Sequence, residues 1–239
     1  MITTDMSLGQ IVDRIPAGAR ILQESGLDFC CGGQQTLGDA CSEHGVSSET
    51  VIAALEGLGD TGAADWTSYG PSELVDHVVS THHEYLRRQF DFLVPLAQKV
   101  ATVHGERHPE LADVYADVRE LADDLLPHMQ KEEQVLFPMI VSLAETGSLP
   151  PAGPPHLDMP ISVMVLEHDA CGELLRKMRS DSRDFAVPAD GCASYQALYA
   201  GLEELEADTH LHIHKENNIL FPMVLELEQE SAVADGVAR

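Results

Sequence analysis

The chain has 239 residues, 44% of them apolar, and its 40 acidic residues against 14 basic ones give a formal net charge of −26. This charge repels nucleic acid backbones and anionic membranes, so neither is an expected partner. No apolar run approaches the roughly 20 residues that span a bilayer, and residues 1–11 lack the basic cluster of a signal peptide. We therefore expect a cytoplasmic protein.

Secondary structure and redox environment follow from the composition. Ala, Leu, Glu and Asp are abundant, whereas runs of alternating β-branched residues are missing, which predicts an all-α fold. Five cysteines, an odd number without zinc-ribbon spacing, make a poor disulfide framework and fit a reducing compartment.

Residues 1–58 are predicted to form a small helical domain of about three helices. The first predicted helix begins at a capping box that starts at Ser7, and the second covers residues 36–44. The third covers residues 51–58 and is capped by Ser47 or Ser48. The turn between the first two contains Cys30-Cys31-Gly32-Gly33. Residues 59–70, rich in Gly and small residues, predict a linker.

The rest of the chain predicts an antiparallel four-helix bundle over residues 71–230, followed by a tail over residues 231–239. Gly-rich and Pro-rich segments separate the helices, and the longest separator lies in the centre. The predicted helices cover residues 71–103, 109–145, 160–181 and 191–229.

A sequence repeat inside the predicted bundle contains the candidate functional residues. The pattern HxxxExxxLFPM occurs at His128 and again at His212, at an offset of 84 residues and without a gap. A single histidine precedes each copy on the preceding helix, His83 by 45 residues and His168 by 44. The bundle therefore consists of two similar helix pairs.

The spacing places each His-Glu pair of the repeat on one helical face, because residues four apart lie above one another. That face is the apolar stripe, where an isolated charge costs several kcal/mol unless a metal or partner compensates it. Six residues thus predict a two-metal centre that carboxylates can bridge: His83, His128, Glu132, His168, His212 and Glu216.

Two points about the remaining histidines stay open. The apolar stripe of the first helix favours His82, whereas the repeat spacing favours His83, and we choose His83. His210 and His214 lie on another face of the last helix than His212, and we expect them to be solvated.

Nitrogen and oxygen ligands without thiolate favour iron, manganese or zinc over copper(I), and iron is the preferred interpretation. Six protein ligands for two metals leave open positions, as in reactive metal sites.

With these motifs the chain resembles the repair of iron centres family, hemerythrin-like di-iron proteins that restore iron–sulfur clusters damaged by nitrosative or oxidative stress. The resemblance covers nearly the full length and includes the di-cysteine turn. It implies that the six bundle residues hold two non-haem iron ions, bridged by oxo and carboxylate groups. Damaged iron–sulfur proteins, nitric oxide and oxygen are the implied partners, and the chain is expected to be a monomer or homodimer.

Hemerythrins themselves add a fifth histidine through an HxxxH pair, which neither His83 nor His168 has here. The missing ligand shifts the expectation from oxygen storage toward labile iron. Cys30 and Cys31 are candidates to deliver electrons, bind iron in transit or hold a nitrosyl species, unless they are incidental to the turn. Alternative functions are a nitric oxide reductase, a peroxidase, or a sensor of oxygen or nitric oxide, so enzyme activity is left open.

Overall fold

The computed structural model describes residues 1–59 and 65–234. Residues 60–64 of the predicted linker and 235–239 of the predicted tail lie outside the described residues. The all-α prediction is confirmed, because helices make up the secondary structure of the described chain and a small helical region precedes a bundle. None of the described helices is long and apolar enough to cross a bilayer.

The N-terminal region contains one helix more than the sequence predicts. Its helices are α1 (Leu8–Arg14), α2 (Gly18–Glu24), α3 (Leu37–His44) and α4 (Ser48–Gly57). The capping box at Ser7 is present, and Ser47, not Ser48, caps α4. Pro16 separates α1 from α2, because it lacks an N–H and disfavours helical backbone at Ile15, whose φ and ψ are −135° and 82°.

Four long helices, named A to D, form the bundle. Helix A comprises α5 (Pro71–Val78), a π-helical turn (Val79–His83) and α6 (Glu84–His104). Helix B comprises α7 (Leu111–Lys131), a π-helical turn (Glu132–Leu136) and α8 (Phe137–Thr146), and helix C is α9 (Asp158–Asp181). Helix D comprises α10 (Ala193–Lys215), a π-helical turn (Glu216–Leu220) and α11 (Phe221–Ala234).

Neighbouring helices of the bundle run in opposite directions. The first part of helix A, α5, lies against α8 at the end of helix B, while α6 lies against α7. Helix A packs in the same way on helix D, since α6 contacts α10 and α5 contacts the π-helical turn of D. Helix C packs mainly on α7 of helix B.

Two apolar clusters fill the core at different levels. One joins the N-terminal region to the part of the bundle built from α6, α7 and α10, and includes Phe90, Leu121 and Leu202. The other fills the part built from α5, α8 and α11, and includes Ile140 and Val224. Buried histidines and glutamates lie between the two clusters, so a polar layer interrupts the apolar core at one level.

The π-helical turns lie at this polar level. One ends at His83, and the other two begin at Glu132 and Glu216. In helices B and D the turn is followed at once by a Phe-Pro pair, with Pro138 and Pro222. A proline has no N–H to donate to the carbonyl four residues earlier, so the α-helical hydrogen bonding is interrupted there.

Candidate metal centre

The structure brings all six predicted ligand residues together in the polar layer. Each is at most 2% exposed. They form two groups whose candidate ligand atoms lie within 4.8 Å of one another: His83, Glu132, His212 and Glu216 in one, and His128, Glu132, His168 and Glu216 in the other. Both glutamates belong to both groups.

Each glutamate directs one oxygen toward each half of the centre. Oε2 of Glu132 lies 3.4 Å from His83 Nε2, and its Oε1 lies 3.3 Å from His128 Nε2. Oε1 of Glu216 lies 3.1 Å from His212 Nε2, and its Oε2 lies 3.1 Å from His168 Nε2. This is the arrangement that carboxylates bridging two metal ions require.

Several buried atoms of the centre fit a cation better than they fit one another. Both oxygens of Glu132 and Oε2 of Glu216 accept no hydrogen bond from the described residues. The Nε2 atoms of His83 and His212 lie 3.1 Å apart, and those of His128 and His168 lie 3.0 Å apart. Buried carboxylates and converging imidazole nitrogens are costly unless a positive charge lies among them, so the donor set fits metal ions.

Burial and mutual attraction shift the pKa values in opposite directions within the layer. Burial lowers the pKa of His83 to about 4. Burial also acts against charge on His128, but Glu132, Glu216 and Glu167 together outweigh it and raise the pKa to about 9. Burial would raise the pKa of Glu216, yet the His212 and His168 imidazoles hold it well below its usual range. The centre therefore favours an ionised Glu216 among partly neutral imidazoles.

Both repeats place a phenylalanine of the LFPM segment against the lone histidine of one half. The ring of Phe137 stacks on His83 with centroids 5.7 Å apart, and that of Phe221 stacks on His168 at 6.1 Å. These rings shield the centre on the side of the second apolar cluster. The repeat thus supplies the ligands and their apolar cover from one stretch of helix.

Side chains next to the candidate ligands in sequence hold three of the four imidazoles, and none of these side chains is among the residues predicted from the sequence. Nδ1 of His83 donates to Glu133 (2.7 Å), that of His128 to Glu167 (2.7 Å), and that of His168 to Asn217 (2.8 Å). Such bonds turn Nε2 toward the metal position. A signal for these partners exists, because each polar partner directly precedes or follows a ligand residue.

His82 and His214 have roles outside the centre. His82 donates from Nδ1 to Asp208 (3.0 Å) and accepts from Lys215 (2.7 Å). The prediction that His214 is solvated is wrong: it is fully buried, and its Nε2 donates to Asp13 of α1 (3.0 Å). The N-terminal region covers this face of helix D, which helical periodicity alone does not reveal. His210, on the same face, is partly buried against the Phe29 ring.

The di-cysteine turn lies against the helices that carry the centre. Sγ of Cys31 lies 3.6 Å from the carbonyl oxygen of His168. The Cys30 thiol is buried and donates to Oδ1 of Asp28 (3.1 Å). The neighbouring Cys31 thiol, burial and Asp28 together raise the pKa of Cys30 well above its usual value. Cys30 is therefore a protonated, protected thiol, whereas Cys31 is only half-buried.

Asn218 of helix D fixes this turn to the bundle. Its amide donates to the carbonyl oxygens of Cys30 (2.9 Å) and Phe29 (3.3 Å). Gly33 leaves the room that this contact needs, because a Cβ at residue 33 would lie 2.4 Å from Oδ1 of Asn218. Asn218 is only two residues from the candidate ligand Glu216, so the turn and the centre share one helical segment.

Comparison with known proteins agrees with both parts of the chain. Residues 74–224 match the hemerythrin HHE cation binding domain, and residues 4–59 match a domain of unknown function (DUF542). A probable iron-sulfur cluster repair protein of Haemophilus influenzae is 37% identical over 94% of this chain and 99% of its own length. The iron-sulfur cluster repair protein YtfE of Dickeya chrysanthemi is 36% identical over 92% of this chain and 97% of its own.

The chain belongs to the family of hemerythrin-like iron–sulfur cluster repair proteins. The resemblance noted in the sequence is thereby confirmed. The hemerythrin match spans every residue of the buried polar centre, from His83 to Glu216, and a cation-binding domain is what the buried donor set fits. Family membership covers the di-cysteine region as well, since the relatives align with nearly the whole chain.

Proposed function

We propose that the centre holds two non-haem iron ions bridged by Glu132 and Glu216, and that the protein repairs damaged iron–sulfur clusters by supplying this iron. The observation that carries the proposal is the pair of fully buried carboxylates shared by two histidine pairs, in a family of iron–sulfur cluster repair proteins. Nitrosative or oxidative stress is the proposed source of the damage, and the damaged iron–sulfur proteins are the proposed partners.

The ligand set supports donation of iron. Bound iron would supply the metal that a damaged cluster has lost. The four imidazoles and two carboxylates offer no thiolate, whereas the cysteine ligands of an iron–sulfur protein are the softer ligands that such clusters select. Transfer toward a client protein therefore replaces imidazole and carboxylate ligands by thiolates. Each of the four histidines would hold the metal through one nitrogen only.

Cys31 is the thiol that we place in the transfer. It is half-buried and lies against the backbone of His168, so it is partly open to solvent while touching a helix that carries a candidate ligand. Cys30 is held as a thiol by its surroundings, and its role is to shape the turn with Asp28. Cys31→Ser should therefore slow the transfer of iron more than Cys30→Ser does.

The test uses a [4Fe–4S] enzyme inactivated by nitric oxide under anaerobic conditions. Protein loaded with two irons per chain should restore its activity and its cluster absorption. The metal-free protein, the same amount of free ferrous iron with a chelator, and Glu216→Gln, which removes one bridging charge, serve as controls. Failure of the fully loaded protein to restore more activity than free iron would rule out the proposed function.

A further inference from the structure

The two metal positions differ in how their histidines are supported. One position is formed by His83 and His212, and the other by His128 and His168, with both carboxylates common to the two. At the second position both imidazoles donate from Nδ1, to Glu167 and to Asn217. At the first position only His83 has such a partner, because Nδ1 of His212 is buried and has no hydrogen-bond partner among the described residues.

The repeat explains why His212 lacks a partner. In one half, Glu167 immediately precedes the lone ligand His168 and accepts from His128 of the neighbouring helix. In the other half, the residue that precedes the lone ligand His83 is His82. The sequence thus places a histidine where the carboxylate partner of His212 would stand.

The contacts of His82 confirm the correspondence. Its ring stacks on that of His212, with centroids 5.6 Å apart and 15° between the planes, and its nitrogens are engaged by Asp208 and Lys215. Lys215 occupies the repeat position of Lys131, which forms an ion pair with Glu167. Both halves therefore retain the lysine, but only one retains the carboxylate that the lysine and a ligand histidine share.

The cations beside the remaining carboxylates do not cancel this difference. Glu133 pairs with Arg87, and Glu167 pairs with Lys131, so each position has one acidic partner with one basic neighbour. What separates the positions is the second imidazole of each: His168 has the amide oxygen of Asn217 as acceptor, whereas Nδ1 of His212 has no acceptor among the described residues. Partners of this kind are worth about 10- to 100-fold in metal affinity.

We propose that the metal ion held by His83 and His212 is released first, while the ion held by His128 and His168 is retained, so that the centre gives up one ion at a time. The inference rests on the proposed function only in so far as the released ion is the iron that is donated. It assigns His82 as the residue that makes the first position labile.

Release of metal to a chromogenic chelator tests the inference without a client protein. The full chain, loaded anaerobically with two ferrous ions, should release its iron in two phases of equal amplitude. Glu133→Gln weakens support of His83 and should accelerate only the fast phase, by about 10- to 100-fold. Glu167→Gln weakens support of His128 and should accelerate only the slow phase by a similar factor.

The reciprocal exchange is the sharper test. His82→Glu gives His212 the carboxylate that His128 already has, and should slow the fast phase by about 10- to 100-fold. His82→Gln, the matched control, offers a neutral amide and should slow it less. Glu167→His takes the carboxylate partner away from His128, just as His82 withholds one from His212, and should merge the slow phase into the fast one.

Loading with a single equivalent of cobalt(II) locates the retained ion. Its visible absorption should change in Glu167→Gln and stay as in the unmodified protein in Glu133→Gln. Single-phase release of iron, a fast phase unaffected by a correctly folded His82→Glu, or the opposite assignment of the two glutamine variants would overturn the inference. If His82→Glu does not fold, the two glutamine variants decide alone. Release in two phases without cluster repair would refute the proposed function and leave this inference standing.

Discussion

The five cysteines differ in exposure and in the pKa of their thiols, and therefore in expected reactivity. Cys30, Cys41 and Cys171 are buried, and burial raises the pKa of Cys41 and Cys171. Cys192 is exposed and precedes α10, where backbone N–H groups of the first turn lower its pKa. Among the described cysteines, Cys192 alone is exposed and also has its thiol pKa lowered by a helix N-terminus.

This contrast predicts the order of alkylation by iodoacetamide near neutral pH. Cys192 should react first, Cys31 second, and the three buried cysteines only after unfolding, because the thiolate is the reacting form. Peptide mapping by mass spectrometry over time measures the order, and Cys192→Ser should abolish the fastest modification without changing the others. Modification of Cys30 as fast as that of Cys192 would contradict the account of Cys30 as a protected thiol.

At the scale of helices, the sequence predicts the bundle well because its boundary signals are local. Glycine and proline separators place the four helices within a few residues of their observed bounds. The π-helical turns are not predicted, and they change which residues share a face. The apolar stripe through Val75 and Val79 continues to His82 only if the helix is a regular α-helix. Residues Val79–His83 form a π-helical turn, so the regular spacing does not hold there. The repeat spacing is independent of that turn, and it points to His83.

Contacts between elements distant in sequence explain the remaining differences. His214 is buried because α1 supplies Asp13 as its partner, and nothing in the helix D pattern encodes this. Likewise, Glu133 and Glu167 look like surface charges until the fold brings His83 and His128 against them. The candidate ligand set can be proposed from the sequence because it is duplicated, while its supporting partners are duplicated only in part.

Docking of the di-cysteine turn on helix D depends on the small size of Gly33. In Gly33→Ala the new Cβ would lie 2.4 Å from Oδ1 of Asn218 and 2.5 Å from the carbonyl oxygen of Phe29. We expect it to destabilise the protein by about 1–3 kcal/mol, as overpacking does. Urea unfolding measures the loss.

Gly57→Ala is the matched control for this change, because a Cβ there meets nothing within 4 Å. It should leave the unfolding free energy unchanged or slightly higher, since alanine is the better helix former. A Gly33→Ala protein as stable as Gly57→Ala would show that the turn does not need this close approach.

At the scale of the whole molecule, the metal centre lies between two apolar clusters that the bundle must bring together. Without a cation, two buried carboxylates and four buried imidazoles face one another across the layer that joins these clusters. The acidic surface adds repulsion, because the chain carries a formal net charge of −26. Bound metal ions would compensate a cost that the fold concentrates at its centre.

Removal of metal should therefore lower the thermal stability of the entire bundle and not only empty a local site. A ligand that binds only the folded state stabilises it by about 2.7 kcal/mol when its free concentration is 100 times its dissociation constant. Thermal unfolding of iron-loaded, zinc-loaded and chelator-treated protein measures the difference, and restoring the metal should restore the melting temperature. Glu216→Gln provides the control, because a protein that has lost one shared carboxylate should gain much less on loading. Equal melting temperatures for the loaded and metal-free forms, at two metal ions per chain, would mean that the polar layer is satisfied by its own side chains.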